Sequence, residues 1–393
     1  MSILIVGAGF TGLMTAYTLL KQGFSVTLLE SRSSPCQEAS FTCSGTLNDQ
    51  APLLLGERSD RKTELATELQ ADSVFTHPKR LWQHPRFVSG LKKAHRTDEQ
   101  QRLLNLARTC STQSSVLLRT IAQTHQLSLQ ESAGTLVEQP GGTSHGLDAW
   151  LGVEPALYAA PAESHFTVSA RTSWSISYFA KQLKELVVSL GASILNNHHV
   201  TRFVIESEYC RGVVTEQGIL KADAVVLANG VGAAPLLKTL KIHFPLLEVS
   251  RPILNTSLIG DATRIRHALL TAQGVSLLPL SDFIRVQGPW QWARPSKEET
   301  DALYRQLWEA GTRFFPEIAH WHQGRYYLQS VLSTPDTLGI VGPSPIPGLW
   351  LNVAGGLHGA DFAPIYSEVL AGHLTGKADT ELAEALHYKR FST

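Results

Sequence analysis

An α/β fold is the class that this sequence predicts: a parallel sheet covered by helices, interleaved with an α+β part built on a large antiparallel sheet. Three observations predict it. The first thirty residues read strand, glycine turn, helix, strand, the order of a parallel βαβ unit. Two further apolar strands ending in glycine turns come much later, at 222–230 and 349–362, so the parallel part is discontinuous. Between them, 245–288 is rich in short β-branched runs that suit antiparallel strands.

The opening unit carries the most specific signal. Ser2-Ile3-Leu4-Ile5-Val6 is an apolar run of strand length, and Gly7-Ala8-Gly9-Phe10-Thr11-Gly12 follows at once with G-x-G-x-x-G spacing. A helix over 13–22 stops at Gly23, and a strand over 24–29 ends on Glu30. Gly7 permits the tight turn, Gly9 lets a pyrophosphate approach the backbone, and Gly12 lets helix and strand pack closely. The helix N-terminus offers unpaired N–H groups to phosphate, and Glu30 is placed to accept from ribose hydroxyls. Together these parts predict a Rossmann-type dinucleotide site. An acid at position 30 favours FAD or NAD over a 2′-phosphorylated cofactor.

Length and composition narrow the rest. A chain of 393 residues suits two domains. With 34 acidic and 34 basic residues, nothing points to nucleic acid. The chain opens on a core strand without a basic leader, and no stretch has transmembrane length, so a cytoplasmic protein is expected. Cys36, Cys43, Cys110 and Cys210 lack metal or disulfide spacing and read as reduced thiols. His320 and His322 sit two apart and could share one strand face, but two histidines do not make a metal-ligand set, and no metal is expected.

In chain order, Glu38-Ala39-Ser40-Phe41-Thr42-Cys43-Ser44-Gly45 is a small, hydroxyl-rich loop fit to wrap a phosphate or a flavin edge. From Pro78 to Arg96 there are six basic residues and no acid. That stretch reads either as a face touching anionic lipid, on the inner side of a membrane, or as a solvated basic surface. A long helical pattern spans 97–130, and a helix over 177–190 is closed by Gly191. Strands follow at 192–195 and 200–205, with a hairpin at 212–220. Further strands fall at 246–249, 253–258, 275–280 and 283–286, then a helix over 298–314. In the tail, strands at 338–342 and 349–353 lead to Ala354-Gly355-Gly356-Leu357-His358-Gly359-Ala360-Asp361-Phe362. A helix over 364–374 starts on Pro364, a favoured first-turn residue. Its positive end suits the negative charge of a reduced flavin.

These residues, taken in order, resemble the D-amino-acid oxidase superfamily of FAD enzymes over nearly the whole chain. The nearest look is to D-amino-acid dehydrogenases, glycine oxidase and sarcosine oxidase. The matching pieces are Gly7-x-Gly9-x-x-Gly12 with Glu30, Ala39-Ser40 to Gly45, Val153-Glu154-Pro155-Ala156-Leu157, Ala228-Asn229-Gly230, Ser333-Thr334-Pro335-Asp336 and Leu357-His358-Gly359. The resemblance implies an FAD-binding domain from 1–80, 146–236 and 328–393, and a substrate domain from 81–145 and 237–327. It implies FAD contacts at Gly7, Gly9, Phe10, Thr11, Gly12, Glu30, Ser31, Arg32, Ser40, Thr42, Ser44, Gly45, Val200, Ala228, Asn229, Gly230, Gly355, Gly356, Leu357, His358 and Gly359. Gln329 stands where covalent relatives carry cysteine, which implies non-covalent FAD.

The implied reaction is hydride transfer from the carbon bearing an amine to flavin N5, a step that needs geometry and a deprotonated amine more than a dedicated base. Two positions depart from the family pattern. Val331 replaces the arginine expected five residues before Asp336, and Asp361 replaces a lysine that meets substrate carboxylate and helps oxygen react. The substrate is therefore an amine without a carboxylate, or the anchor has moved, with Arg285 and Arg325 as candidates. Val331, His358 and Asp361 complete the candidate substrate pocket. The expectation is an FAD-dependent amine or amino-acid oxidoreductase, dehydrogenase-like rather than a strong oxidase. The alternatives are a non-catalytic or partner-dependent FAD subunit, since some relatives are heteromers, and a simple NAD dehydrogenase.

Overall fold

The computed structural model describes residues 1–47, 74–75, 83–140, 164–169, 172–259, 265, 267–280, 282–292, 294–378 and 380–391. The motif at 153–157 and residues 78–82 of the basic stretch lie outside them.

The fold is mixed α/β with parallel and antiparallel sheets. Ser2–Val6 is buried on both faces, as a near-continuous apolar strand requires, and it forms the centre of a six-stranded sheet. Ser25–Leu29 and then Ser193–Leu195 lie on one side of it; Ala224–Leu227, Leu349–Val353 and Ile340–Pro343 lie on the other. All pairs are parallel except the last, Ile340–Pro343 with Leu349–Val353. Alternate side chains feed different layers. Ile3, Ile5, Val226 and Leu28 pack beneath the helices Phe10–Lys21, Ile176–Ser189 and Gly359–Thr375. Leu4, Val6, Val225 and Leu227 face Phe203, Cys210 and Val213 of the meander Val200–Glu206, Tyr209–Thr215 and Gly218–Lys221.

A nine-stranded, largely antiparallel sheet makes the second part. Its longest strand, Leu247–Ser257, pairs over Leu247–Asn255 with Arg325–Ser333. Sequence alone suggests two strands here, broken near Pro252. The strand continues because the proline falls between partners: residues 249–250 pair with Trp290–Trp292, and 253–257 pair with Phe283–Gln287. The missing N–H is not needed at that changeover, and Pro252 instead accepts from Gly288 N–H at 3.0 Å.

The helix Thr97–Thr124 falls within 81–145, the segment expected to serve the substrate domain. Its buried face, including Leu103, Leu106, Leu118 and Ile121, joins the core beneath Phe10–Lys21 and Gly359–Thr375. Ser114 Oγ accepts from Ile365 N–H at 3.3 Å. The preceding helix Pro85–Ala94 turns Phe87 and Leu91 inward against Trp292 and leaves Arg86, Lys92 and Lys93 exposed. No helix among the described residues is long and apolar enough to cross a membrane.

Candidate active site

The site grows from the carboxyl edge of the parallel sheet. Gly7 leaves the central strand at φ +102°, and a Cβ there would lie 2.7 Å from the Ala228 carbonyl oxygen and from Asn229 Cα. The first fingerprint glycine is thus fixed by contact with a second turn, the one read at 228–230. Ala228 N–H donates to the Val6 carbonyl at 2.9 Å and locks the two turns together. At Gly12 a Cβ would overlap the Gly7 carbonyl. Gly9 caps the helix Phe10–Lys21 without a side chain, and no acid stands in the first turn. Ser40 Oγ accepts from Phe10 N–H at 2.9 Å, so the hydroxyl loop touches the helix end where an anion would bind.

Glu30 is buried and held from three sides. Its carboxylate accepts from Ala8 N–H at 3.2 Å, Arg32 N–H at 2.9 Å and the Ser31 hydroxyl at 3.2 Å. Ser31 and Arg32 are exposed beside it, and the Arg32 guanidinium pairs with Glu38. Val200 is buried in the core cluster that contains Leu29, and His198 N–H donates to the Glu30 carbonyl at 2.7 Å.

The second glycine corner, 355–359, ends a strand of the same sheet, with only Ala224–Leu227 between that strand and Ser2–Val6. Two strand spacings put the corners roughly 10 Å apart, on one edge where parallel α/β sheets bind ligands. Their helices run side by side: Asn352 Nδ2 donates to Thr15 Oγ1 at 3.0 Å, and Thr15 and Ser367 hydroxyls lie 3.3 Å apart. Gly356 sits at φ +64° against Ser333 Oγ. The Ser333–Asp336 motif supports this corner: Thr334 Oγ1 donates to Asp336 Oδ1 at 2.8 Å, and Asp336 pairs with Arg390 at 2.8 Å.

The C-terminal helix begins earlier than its proline suggests. It spans Gly359–Thr375, with Pro364 inside and His358 at the N-cap. Gly359 takes helical dihedrals (φ −57°, ψ −33°), and Phe362 and Ala363 are drawn into the core, so the helix nucleates on buried side chains. Asp361 therefore stands in a helical first turn rather than a loop. Its Oδ2 lies 3.3 Å from His358 Nδ1.

The large sheet has two unlike faces. Leu254, Ile284 and Val286 pack on the helix Lys297–Phe314. The opposite face carries Arg251, Asn255, Arg285, Gln287, Gln329 and Val331, and it meets the hydroxyl loop. Arg285 is fully buried. Its guanidinium donates to the carbonyls of Phe41 and Cys43 at 2.8 Å each, to Asn255 Oδ1 at 3.0 Å and to Ser44 Oγ at 3.3 Å. Burial pulls its pKa down to about 10, still a cation at neutral pH. Arg285 clamps the loop to the sheet, a role neither of an ion pair nor of an open anchor. Arg325 is exposed at the start of its strand, directly opposite Asn255 and so at the solvent end of the same sheet face. Val331 is half-buried opposite Val249, which in turn pairs with Trp292, so an apolar wall stands where a guanidinium was expected.

Sequence reading missed Arg251. It is 7 % exposed, donates from Nε to Gln329 Oε1 at 2.7 Å, and lies over the Trp290 ring at 4.4 Å. It also missed Trp174, whose ring packs on Phe10 and leaves no room for a Cβ at Gly45. Alternation marks the polar face only in Phe283–Gln287, where Arg285 and Gln287 alternate with Ile284 and Val286; Arg251 stands between Val249 and Ile253 on its face and carried no such signal.

Three buried side-chain atoms here meet no hydrogen-bond partner: Trp174 Nε1, Asn229 Oδ1 and His358 Nε2. They sit at the loop, at the turn beside Gly7 and at the C-terminal corner. Together with a bare helix end and a fixed carboxylate at the sheet edge, they fit a long dinucleotide reaching from one corner to the other.

Fold and site thus define a dinucleotide-binding oxidoreductase. The chain belongs to the DAO family of FAD dependent oxidoreductases, whose sequence model matches residues 2–372. Its cofactor is FAD. A D-amino acid dehydrogenase of Vibrio cholerae is 24% identical over 409 residues, covering 95% of both chains. A D-amino acid dehydrogenase of Bradyrhizobium diazoefficiens is 25% identical over 425 residues, covering 100% of this chain and 99% of its own. The crystal structure of glycine oxidase from Geobacillus kaustophilus shares the fold, with a TM-score of 0.68 and 17% identity over 99% of this chain and 98% of that one.

Proposed function

We propose that this protein oxidises an amine or amino acid, as a dehydrogenase rather than a strong oxidase, with FAD held non-covalently. The observation that carries the reading is the end-to-end correspondence with D-amino acid dehydrogenases, 95% of this chain in one case and 100% in the other. When bound, FAD would supply the electron-accepting chemistry, hydride transfer to its N5 from the carbon that bears nitrogen. The chain's own residues bind and orient. The fingerprint turn and the end of Phe10–Lys21 would hold the diphosphate, Glu30 would accept from ribose, and Arg285 fixes the hydroxyl loop beside that helix end. Val331, backed by the buried Val249 and Trp292, would present an apolar side chain to the substrate.

Asp361 in place of lysine supports the dehydrogenase reading, and Val331 with Asp361 supports a substrate not gripped by its carboxylate at these two positions. The test is anaerobic bleaching of the FAD-loaded chain by D-amino acids, N-methyl amino acids and simple amines. At least one class is expected to bleach the flavin, and turnover with an artificial dye is expected to outrun peroxide formation in air. Peroxide at the dye rate would make it an oxidase. No bleaching by any compound would favour an FAD-binding subunit that works through a partner.

A further inference from the structure

The tail of the chain does more than close the fold. Its helix Thr380–Leu386 and turn Tyr388–Phe391 lie beyond residue 372, where the match to the family's sequence model ends. Leu382, Ala383 and Leu386 enter the core beneath the helices, while Tyr388 and Phe391 pack on the core of the opposite face of the sheet. The tail thus wraps the edge strand Ile340–Pro343 and brings Arg390 to the Ser333–Asp336 motif.

Each guanidinium nitrogen of Arg390 is engaged. Nε and Nη2 donate to the Asp336 carboxylate at 2.8 and 3.3 Å, and Nη2 also donates to the carbonyls of Leu338 and Gly339 at 2.8 and 2.9 Å. Nη1 caps the tail helix through the carbonyls of Leu386 and His387 at 2.8 and 3.2 Å. The ion pair is nearly enclosed, with side-chain exposures of 12% and 10%. A charged fork of this kind fixes geometry as well as adding energy.

The backbone it fixes is strained. Thr337, between Asp336 and Leu338, is a buried β-branched residue at φ +63°, and Ala354, just before the C-terminal glycine corner, sits at φ +57°. Such conformations persist only where the surroundings over-determine them. Turn and corner touch: a Cβ at Gly356 would lie 3.3 Å from the Thr337 carbonyl oxygen and 3.0 Å from Ser333 Oγ, and Ser333 pairs with Gly355 in an isolated bridge. On its other side the turn is held by Gly339 N–H, which donates at 2.9 Å to the Tyr366 hydroxyl of the helix that leaves the corner. The N-terminal corner is fixed separately, by Ala228 and Asn229 against Gly7.

We propose that Arg390 is a positioning residue for the flavin end of the cofactor. By clamping the turn 334–339, it holds the Gly355–Gly356 backbone in the shape that receives the ring, while the diphosphate end is set without it. This rests on FAD reaching from one glycine corner to the other, as the site above suggests.

The test compares FAD with ADP, which carries the adenosine and diphosphate but no flavin ring, by titrating the apoproteins of wild type and variants. Arg390→Met is expected to lose FAD affinity about tenfold and to keep ADP affinity within about twofold. Arg390→Lys keeps the charge but not the fork; it should lose about threefold for FAD alone, and it carries the comparison if the methionine variant does not fold. Leu307→Ala, which empties core space under the far face of the large sheet, is the control for general destabilisation and should keep the wild-type ratio of the two affinities. The visible band of FAD-loaded Arg390→Met should also move toward that of free FAD, while Leu307→Ala keeps the wild-type band. Parallel losses of FAD and ADP affinity in the Arg390 variants, no loss of either, or a wild-type band in Arg390→Met would overturn the proposal. If the wild type prefers FAD to ADP and Arg390→Met keeps that preference, only the clamp falls. If the wild type binds ADP as tightly as FAD, the ring gains nothing at the C-terminal corner, and the spanning cofactor falls together with the clamp.

Discussion

The two glycine corners at the sheet edge use one device for two purposes. Each is a tight turn that delivers a helix N-terminus to the same edge. The N-terminal corner leaves its helix end bare: Gly9 has no side chain to cap it, and no acid stands in the first turn. The C-terminal corner has already supplied its own charge, with His358 at the cap and Asp361 in the first turn. A bare helix end attracts an outside anion, whereas an end with its own carboxylate has much of that attraction answered internally. The comparison teaches that a glycine turn before a helix does not define a phosphate site. The first-turn side chains decide.

Breaking the N-terminal corner should have the largest effect. Gly7→Ala forces a side chain into the left-handed region and onto the Ala228–Asn229 backbone, whereas Gly23→Ala faces open space at φ +82°. The backbone cost alone is about 1–2 kcal/mol at either position. Gly7→Ala is therefore expected to exceed Gly23→Ala clearly in lost thermal stability and to abolish FAD retention, measured by unfolding and by the visible spectrum. Equal losses would mean that the two turns do not press on each other.

Arg285→Met comes next. It strands the part-buried carbonyls of Phe41 and Cys43 and removes charge-assisted bonds, with an expected cost of about 3 kcal/mol in denaturant unfolding. As a clamp, Arg285 should affect stability and FAD retention while leaving the preference between carboxylate-bearing and simple amines unchanged. A variant of normal stability with altered preference would restore it as a substrate anchor.

Exchanging the two carboxylates separates the corners more finely. Glu30→Gln weakens bonds to the ribose side of the site, and FAD affinity is expected to fall about tenfold, or about 1.4 kcal/mol. Asp361→Asn should leave FAD affinity within about threefold, because its partner is His358 rather than the dinucleotide. Titration of the apoprotein with FAD decides. A larger loss in Asp361→Asn would place the cofactor's charge at the C-terminal corner after all.

The contrast between the corners also explains what the sequence could reveal. G-x-G-x-x-G works through local backbone geometry, so spacing alone exposes it, and Glu30 follows from the length of one βαβ unit. Pro252 disguised one long strand as two, because a proline is harmless only where the partner strand changes, and that depends on distant residues 283–292. Pro364 moved the expected helix start five residues late, past Gly359. That shift hid the i, i+3 relation of His358 to Asp361, which exists only if the glycine-rich segment is already helical. Arg251 and Gln329 meet across two strands whose register comes from pairing, not from either segment alone.

The smallest effect expected lies at the far end of the C-terminal helix. Burial lowers the pKa of His373, and burial with Lys389, His373 and Arg390 lowers that of His387. His373 Nε2 meets no partner, and its ring packs where Gly342 has no Cβ. Both folded-state values lie below the ordinary imidazole value of about 6.5, so the unfolded chain binds protons that the folded chain refuses. Stability is then fully present above that value and declines as pH falls through it toward the folded pKa. Thermal unfolding of the FAD-loaded chain should drop between neutral and mildly acidic pH, and His373→Gln with His387→Gln should flatten that slope. A double variant with an unchanged acid slope would place the acid sensitivity elsewhere in the fold.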